Sequence, residues 1–180
     1  MKIEFFLDYL PWLHVPRSVC TAWDVTPEDR NQRFTAKKRD QPLVLENAPA
    51  PIMELYEWHD LSNISMLWTI FMERPYETPH GWCFSYMSEV LLVLAPEGQV
   101  RGYIEHPIRA IHGDGYLGPA GKDMESYLEA LLCGQMTVSH FARGLGDEPG
   151  FMEKRKPIVD LCTHIAGGED YRDFWESVLL

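Results

Sequence analysis

The side chains best suited to chemistry in this 180-residue sequence are its histidines and the acids beside them. Two places bring them together. His59 and Asp60 are adjacent, and such a pair can ligate a divalent metal. A coordination shell needs further ligands from neighbouring elements, because one dipeptide cannot fill it. The other helical candidates, His14, His140 and His164, each stand alone. The alternative is that His59 closes a helix, where an imidazole is favourable near the C-terminal dipole.

The second place is His106-Pro-Ile-Arg-Ala-Ile-His112-Gly-Asp114-Gly. In an extended segment His106 and His112 share a face, so with Asp114 they could seed a metal or acid–base site. The spacing matches no H-E-x-x-H pattern. A loop whose polar side chains satisfy its own backbone explains the same residues. Nucleophile signatures are missing. There is no G-x-S-x-G, and Cys20, Cys83, Cys133 and Cys162 form no C-x-x-C. Each cysteine has apolar neighbours, where a thiol behaves as a small hydrophobe. Gly113-x-Gly115-x-x-Gly118 matches the letters of a dinucleotide-binding turn, but no buried parallel strand precedes it and a proline follows. These residues point away from an enzyme, and no cofactor is expected.

The elements that position these groups follow from apolar spacing. Ile3, Phe6, Leu7 and Leu10 fit a helix that Pro11 stops. Residues 11–50 hold five prolines and predict irregular structure with one or two short strands. Pro51 suits the first turn of a helix over 51–59, with Ile52, Leu55, Tyr56 and His59 on one face and Trp58 beside Leu55. Strands follow at 66–72, 82–87, 90–95 and 99–105. Pro96-Glu97-Gly98 turns the hairpin over 90–105, and a further short strand is expected over 108–111. The glycine-rich stretch 113–121 reads as a loop.

Asp123 then caps a helix with the stripe Met124, Tyr127, Leu128, Leu131 and Leu132, which Gly134 ends. Val138, Phe141, Ala142 and Leu145 suggest another short helix. Ile158, Leu161, Cys162, Ile165 and Ala166 make a further stripe, stopped by Gly167-Gly168. Asp170 caps a last helix through Tyr171, Phe174, Trp175, Val178 and Leu179, forming an αα-hairpin with the one before. The order predicts an α+β fold: a mainly antiparallel sheet flanked by helices, with a helical C-terminal tail. One domain over 1–180 is expected, comprising an irregular N-terminal part (1–50), an α+β core (51–133) and a helical tail (135–180).

Composition bounds the partners. With 46% hydrophobic residues the chain can bury a sizeable core. A formal net charge of −11 disfavours nucleic acid and anionic membranes and attracts a basic protein. The charge is uneven. Residues 30–40 hold five basic residues against Asp40, a local +4 that leaves −15 elsewhere. This run could dock a partner in a regulatory or scaffold role, or be a solvated loop. No signal-peptide pattern opens the sequence, and the uncharged run 61–72 is too short to span a bilayer. A reducing cytoplasm is the expected compartment.

The run Pro51-Ile-Met-Glu-Leu-Tyr-Glu-Trp-His-Asp60 resembles the leucine-tyrosine-x-tryptophan-histidine-aspartate/asparagine helix of the SUKH superfamily, the Smi/Knr-like proteins. Pro96-Glu97-Gly98-Gln99-Val100 looks like that family's hairpin turn, and Asp123 to Leu132 looks like its closing helix. The resemblance covers roughly residues 45–133. Leu61 stands where the family has glycine, and Pro79-His80-Gly81-Trp82 where it has a Gly-Gly-Asp turn. The resemblance implies an immunity protein that binds and neutralises a cognate bacterial toxin, often a nuclease. Its sheet and loops would make the contacts, and Trp82, Tyr103, Glu105 and Asp114 are the expected partner-binding residues, as aromatic anchors and desolvated charges dominate interfaces. The alternatives are a small metal-dependent hydrolase using His106, His112 and Asp114, with or without His59, and the regulatory or scaffold module.

Overall fold

The structure is a computed structural model that describes residues 1–14, 26–104, 115–142 and 151–179. The fold is α+β, as the pattern predicts. Helix α1 (Ile3–Tyr9) runs into a 3₁₀ turn at Leu10–Leu13. Helix α2 (Pro27–Gln32) starts where the Thr26 hydroxyl accepts from the Asp29 N–H at 3.1 Å. Helix α3 (Ala50–Tyr56) carries Pro51 in its first turn. Strands β1 (Lys37–Lys38) and β2 (His59–Asp60) pair antiparallel as a small separate ladder.

The main sheet is a six-stranded antiparallel meander in sequence order: β3 (Ser65–Met66), β4 (Thr69–Thr78), β5 (Gly81–Met87), β6 (Val90–Leu94), β7 (Val100–Ile104) and β8 (Tyr116–Gly121). Helices α4 (Met124–Ala142), α5 (Phe151–Ala166) and α6 (Arg172–Leu179) close the chain, with a 3₁₀ turn at Glu169–Tyr171 before the last.

One sheet face is packed under helices. Phe71, Phe84, Leu92, Leu94, Val100 and Ala120 join a single buried cluster with residues of α1, α3, α4, α5 and α6. Ile3, Phe6, Leu10, Leu13, Phe34 and Leu45 belong to it, so the proline-rich N-terminal part shares the core. Burial of this many large side chains, at about 1.5–3 kcal/mol each, is the main term holding the elements together. The ring of Tyr127 lies 5.8 Å from Phe84 and 6.0 Å from Trp175, linking sheet to C-terminal helices.

Phe84 has an unusual position in the sheet. The β4–β5 register passes from Phe71↔Ser85 to Tyr76↔Cys83, and the β5–β6 register from Cys83↔Val93 to Ser85↔Leu92. Both neighbouring ladders therefore skip Phe84, which is the extra residue of a bulge. A buried carbonyl without a ladder partner needs another donor. The Tyr56 hydroxyl supplies it, donating to the Phe84 carbonyl at 2.5 Å. Burial pushes the Tyr56 phenol well up, so it stays a protonated donor.

Several sequence expectations change. The stretch 113–121, read as a loop, contains strand β8. Gly118 adopts φ +135° there, and the register shifts twice against β7, which a β-rich reading of Gly-Pro-Ala-Gly does not suggest. Gly134 does not end its helix, which continues to Ala142. A Cβ at Gly134 would stand 2.7 Å from Leu67 Cδ1 and 3.1 Å from Cys162 Sγ, so the glycine permits close helix packing. The tail boundary at 133–135 thus falls inside α4. His59 and Asp60 leave the helix, which stops at Tyr56, and form β2. Trp58 is 43% exposed. The expected strand at 108–111 lies outside the described residues.

The β3–β4 hairpin turns through Leu67 and Trp68, at φ +46° and +67°. Two-residue hairpin loops with two positive φ values normally use Asn-Gly. Here Leu67 is buried, its N–H donates to Gln135 Oε1 at 2.8 Å, and Trp68 is left 78% exposed. Helix α4 therefore holds the turn in a conformation costing about 1–2 kcal/mol per residue.

Two substitutions test this account. Tyr56→Phe should lower unfolding free energy in urea by about 1–3 kcal/mol, because it strands a buried carbonyl. An unchanged midpoint would show that Phe84 finds another donor. Trp68→Gly should instead raise the melting temperature, with a net gain of about 0.5–1 kcal/mol after glycine's entropic cost. A loss of stability would mean the turn is unstrained.

Candidate functional site

The face of the sheet away from the core carries a band of aromatic side chains. Register defines it. Ile70, Tyr86, Leu91, Tyr103 and Tyr116 oppose one another across β4 to β8 in one cross-strand row. Tyr76, Cys83, Val93, Arg101 and Pro119 form the next. Cys83, Val93 and Tyr103 are buried in a small cluster of their own, with Met72 and Leu91 packed against them. Tyr76 and Tyr116 stand 43% and 44% exposed. None of the described helices contributes to this cluster.

Tyr103 is the centre of the band. The His80 ring stacks on it, centroids 4.3 Å apart and planes 11° from parallel. The Tyr116 ring lies 5.5 Å away. The Arg101 guanidinium sits 5.8 Å from the Tyr116 centroid and pairs with Glu97. Burial works against the Arg101 charge, but the Tyr103 hydroxyl and the Glu97 carboxylate outweigh it and hold the cation more firmly. Burial also raises the Tyr116 phenol. Gln99 Oε1 accepts from Arg101 Nε at 2.8 Å, and its amide donates to the Tyr171 hydroxyl at 3.2 Å. The cation is thereby tied to the C-terminal helical unit.

The expected partner-binding residues separate. Tyr103 lies in the band. Trp82 opposes Leu94 and packs against the main core, on the other face. It lines a cavity of about 440 Å³ with Asn47, Pro49, Pro51 and Pro96 at one end of the sheet. Glu105 and Asp114 lie outside the described residues, as do His106 and His112 of the hydrolase alternative. His80, Arg101 and Tyr116 were not singled out in the sequence. The hairpin turn at Pro96–Gly98 does give the Leu91↔Tyr103 pairing, but Tyr116 joins only through β8, within the stretch read as a loop.

His59 and Asp60 have structural surroundings. Their ladder pairs them with Lys38 and Lys37. Arg39 Nε donates to the His59 carbonyl at 3.2 Å and its Nη2 to the Glu73 carbonyl at 2.7 Å. Desolvation, then the nearby Lys38 charge, lower the His59 pKa. Partial burial acts to raise Asp60, but hydrogen bonds from Ser62, with Arg39 and Lys37 nearby, leave it below the usual carboxylate value. Among the described residues no group of three or more His, Cys, Asp or Glu side chains could hold a metal ion. Cys83, Cys133 and Cys162 are free thiols. No helix among the described residues is long and apolar enough to cross a membrane.

No protein-family model matches the chain, and neither a curated protein nor a solved structure matches it.

The Asp60 surroundings predict an acid-dependent term. A carboxylate whose folded pKa lies below its unfolded value stabilises fully above the unfolded value and loses that contribution as pH falls through the folded one. Asp60→Asn should therefore cost up to about 1 kcal/mol at pH 7 and progressively less below pH ~4. Urea midpoints of both proteins across pH 2–7 check this; a pH-independent gap would contradict it.

Proposed function

We propose that this chain is a non-enzymatic binding protein that docks a protein partner on the aromatic band of its sheet. The partner is a basic toxin, of nuclease type, which the chain neutralises as an immunity protein. The carrying observation is the His80–Tyr103–Tyr116–Arg101 cluster, on the sheet face to which no described helix contributes core residues. Aromatic side chains and arginine are the residues that contribute most to interfaces, and here stacking and hydrogen bonds already fix their rotamers. Little side-chain entropy is then lost on docking.

Charge supports a basic partner. A net −11 would speed encounter with a cationic protein and place carboxylates where that protein expects phosphates. The resemblance of Pro51–Asp60 to the SUKH helix supplies the immunity reading. Free thiols at Cys83, Cys133 and Cys162 suit action in a reducing cytoplasm.

The test pairs the purified chain with the product of its neighbouring gene in isothermal titration. A tight complex should form, with association slowing as salt rises. Tyr116→Ala and Tyr76→Ala should each weaken it by about tenfold or more without changing the melting temperature greatly. A neighbour that forms no complex, or a complex indifferent to both substitutions, would remove the basis for this reading.

A further inference from the structure

A cavity of about 450 Å³ opens where the β3–β4 and β5–β6 turns meet strand β8 and helix α6. Its apolar walls are Trp68, Met87, Val90, Leu117 and Phe174. Met87 and Val90 pack against the main core, so the cavity lies on the opposite face of the sheet from the aromatic band. Its size falls among small-molecule sites, which run from about 300 to 1,000 Å³ and are mostly apolar with a few placed polar groups.

Two turns hold left-handed backbone around it. The β5–β6 hairpin has a two-residue turn, with Met87 paired to Val90. Its first residue, Ser88, takes φ +55° where such turns favour glycine. Trp68, in the β3–β4 turn, takes φ +67°. Both residues line the cavity. Non-glycine residues in this region persist where the surrounding structure enforces them, and they cluster at ligand sites. Trp68 is nonetheless 78% exposed, so its ring is displayed at the cavity mouth and adds little to the core.

Helix α6 supplies the polar groups. Ser177 follows Asp173 by four residues and Phe174 by three, so the three share one helix face, and all line the cavity. The Phe174 ring is held by Tyr127 and Trp175, with centroids 6.3 and 5.2 Å away. The Ser177 hydroxyl donates to the Phe174 carbonyl at 2.7 Å, which leaves its oxygen as an acceptor. Asp173 is a second acceptor and, among the described residues, the one ionisable side chain lining the cavity. Its neighbour Arg172 pairs with Asp160, Glu169 and Glu176. The cavity therefore offers apolar faces and hydrogen-bond acceptors.

We propose that this cavity binds a small aromatic amine, its ring against Trp68 and Phe174 and its ammonium at Asp173 and Ser177. Aromatic faces attract an organic cation, and a carboxylate beside an apolar wall selects it over an anion of the same shape. The chain's net charge of −11 acts in the same direction.

The experiment is equilibrium dialysis of the intact chain against tryptamine, 3-methylindole and indole-3-propionate, which share a ring and differ in charge. Tryptamine should bind, 3-methylindole more weakly, and indole-3-propionate by about tenfold or more below tryptamine. Asp173→Asn should abolish the advantage of tryptamine over 3-methylindole and leave 3-methylindole unchanged. Trp68→Gly should weaken both by about tenfold or more, although the protein melts higher. Failure of tryptamine and 3-methylindole to bind would overturn the site, and so would binding unchanged by Trp68→Gly. Equal affinity for all three probes would overturn the role of Asp173. Melting curves of each variant separate lost binding from lost folding.

Discussion

The hydrogen bond from Tyr56 to the Phe84 carbonyl is the constraint on which the sheet depends. Phe84 is skipped by both adjacent ladders, so the central strand bends there and its carbonyl points away from β-pairing. The same residue drives its ring into the core, between Phe71 and Tyr127. Helix α3 answers both needs: Tyr56 satisfies the carbonyl, while Ile52 and Leu55 pack beside it. The bulge also exchanges the faces along β5. Cys83 and Tyr86 face the aromatic band, whereas Phe84 and Ser85 face the helices. Without that exchange, the rows that assemble around Tyr103 would not align.

The packing of the helices on each other rests on small contacts at Gly134. Cys162 Sγ donates to the Ala130 carbonyl at 3.4 Å, and Leu67 reaches the same spot from the β3–β4 turn. By contrast, the charges that link α5 and α6 lie on the surface. Arg172 pairs with Asp160, Glu169 and Glu176, but such exposed pairs contribute roughly 0–1 kcal/mol each. Apolar burial around Val159, Cys162 and Trp175 therefore decides the hairpin's place. The basic run at 30–40 is divided among different tasks. Lys37 and Lys38 pair with β2, Arg39 braces the β4 bulge, and Arg30 and Arg33 border a cavity beside the β3–β4 turn.

Much of this architecture is legible in the residues. The stripes at 3–10, 124–132, 158–166 and 171–179 each become helices because their spacing leaves one face for the core. Pro96-Glu97-Gly98 sets a hairpin whose Gly98 takes φ +93°. Three misreadings share one cause. Gly134 looks like a stop, Gly118 and Gly121 look like loop, and Leu67-Trp68 do not look like a turn. In each case a tertiary neighbour, not local preference, chose the backbone. The aromatic band was less legible still. Its members sit on separate strands and meet only through register, while the sequence draws the eye to His59-Asp60, where the groups are adjacent but engaged with β1 and Arg39.

Strand β8 has a consequence for how copies of this chain meet. Among the described residues it is the last strand of the main sheet, so its outer side has no partner strand there. Such a border is a template on which a neighbouring molecule can add its own strand, the first step toward fibrous assembly. Pro119 stands in the middle of it without an N–H to donate, and Gly118 twists the backbone beside it. The other border, β3, is only two residues long. The residues that make β8 hard to recognise as a strand are also the ones that keep it from recruiting another.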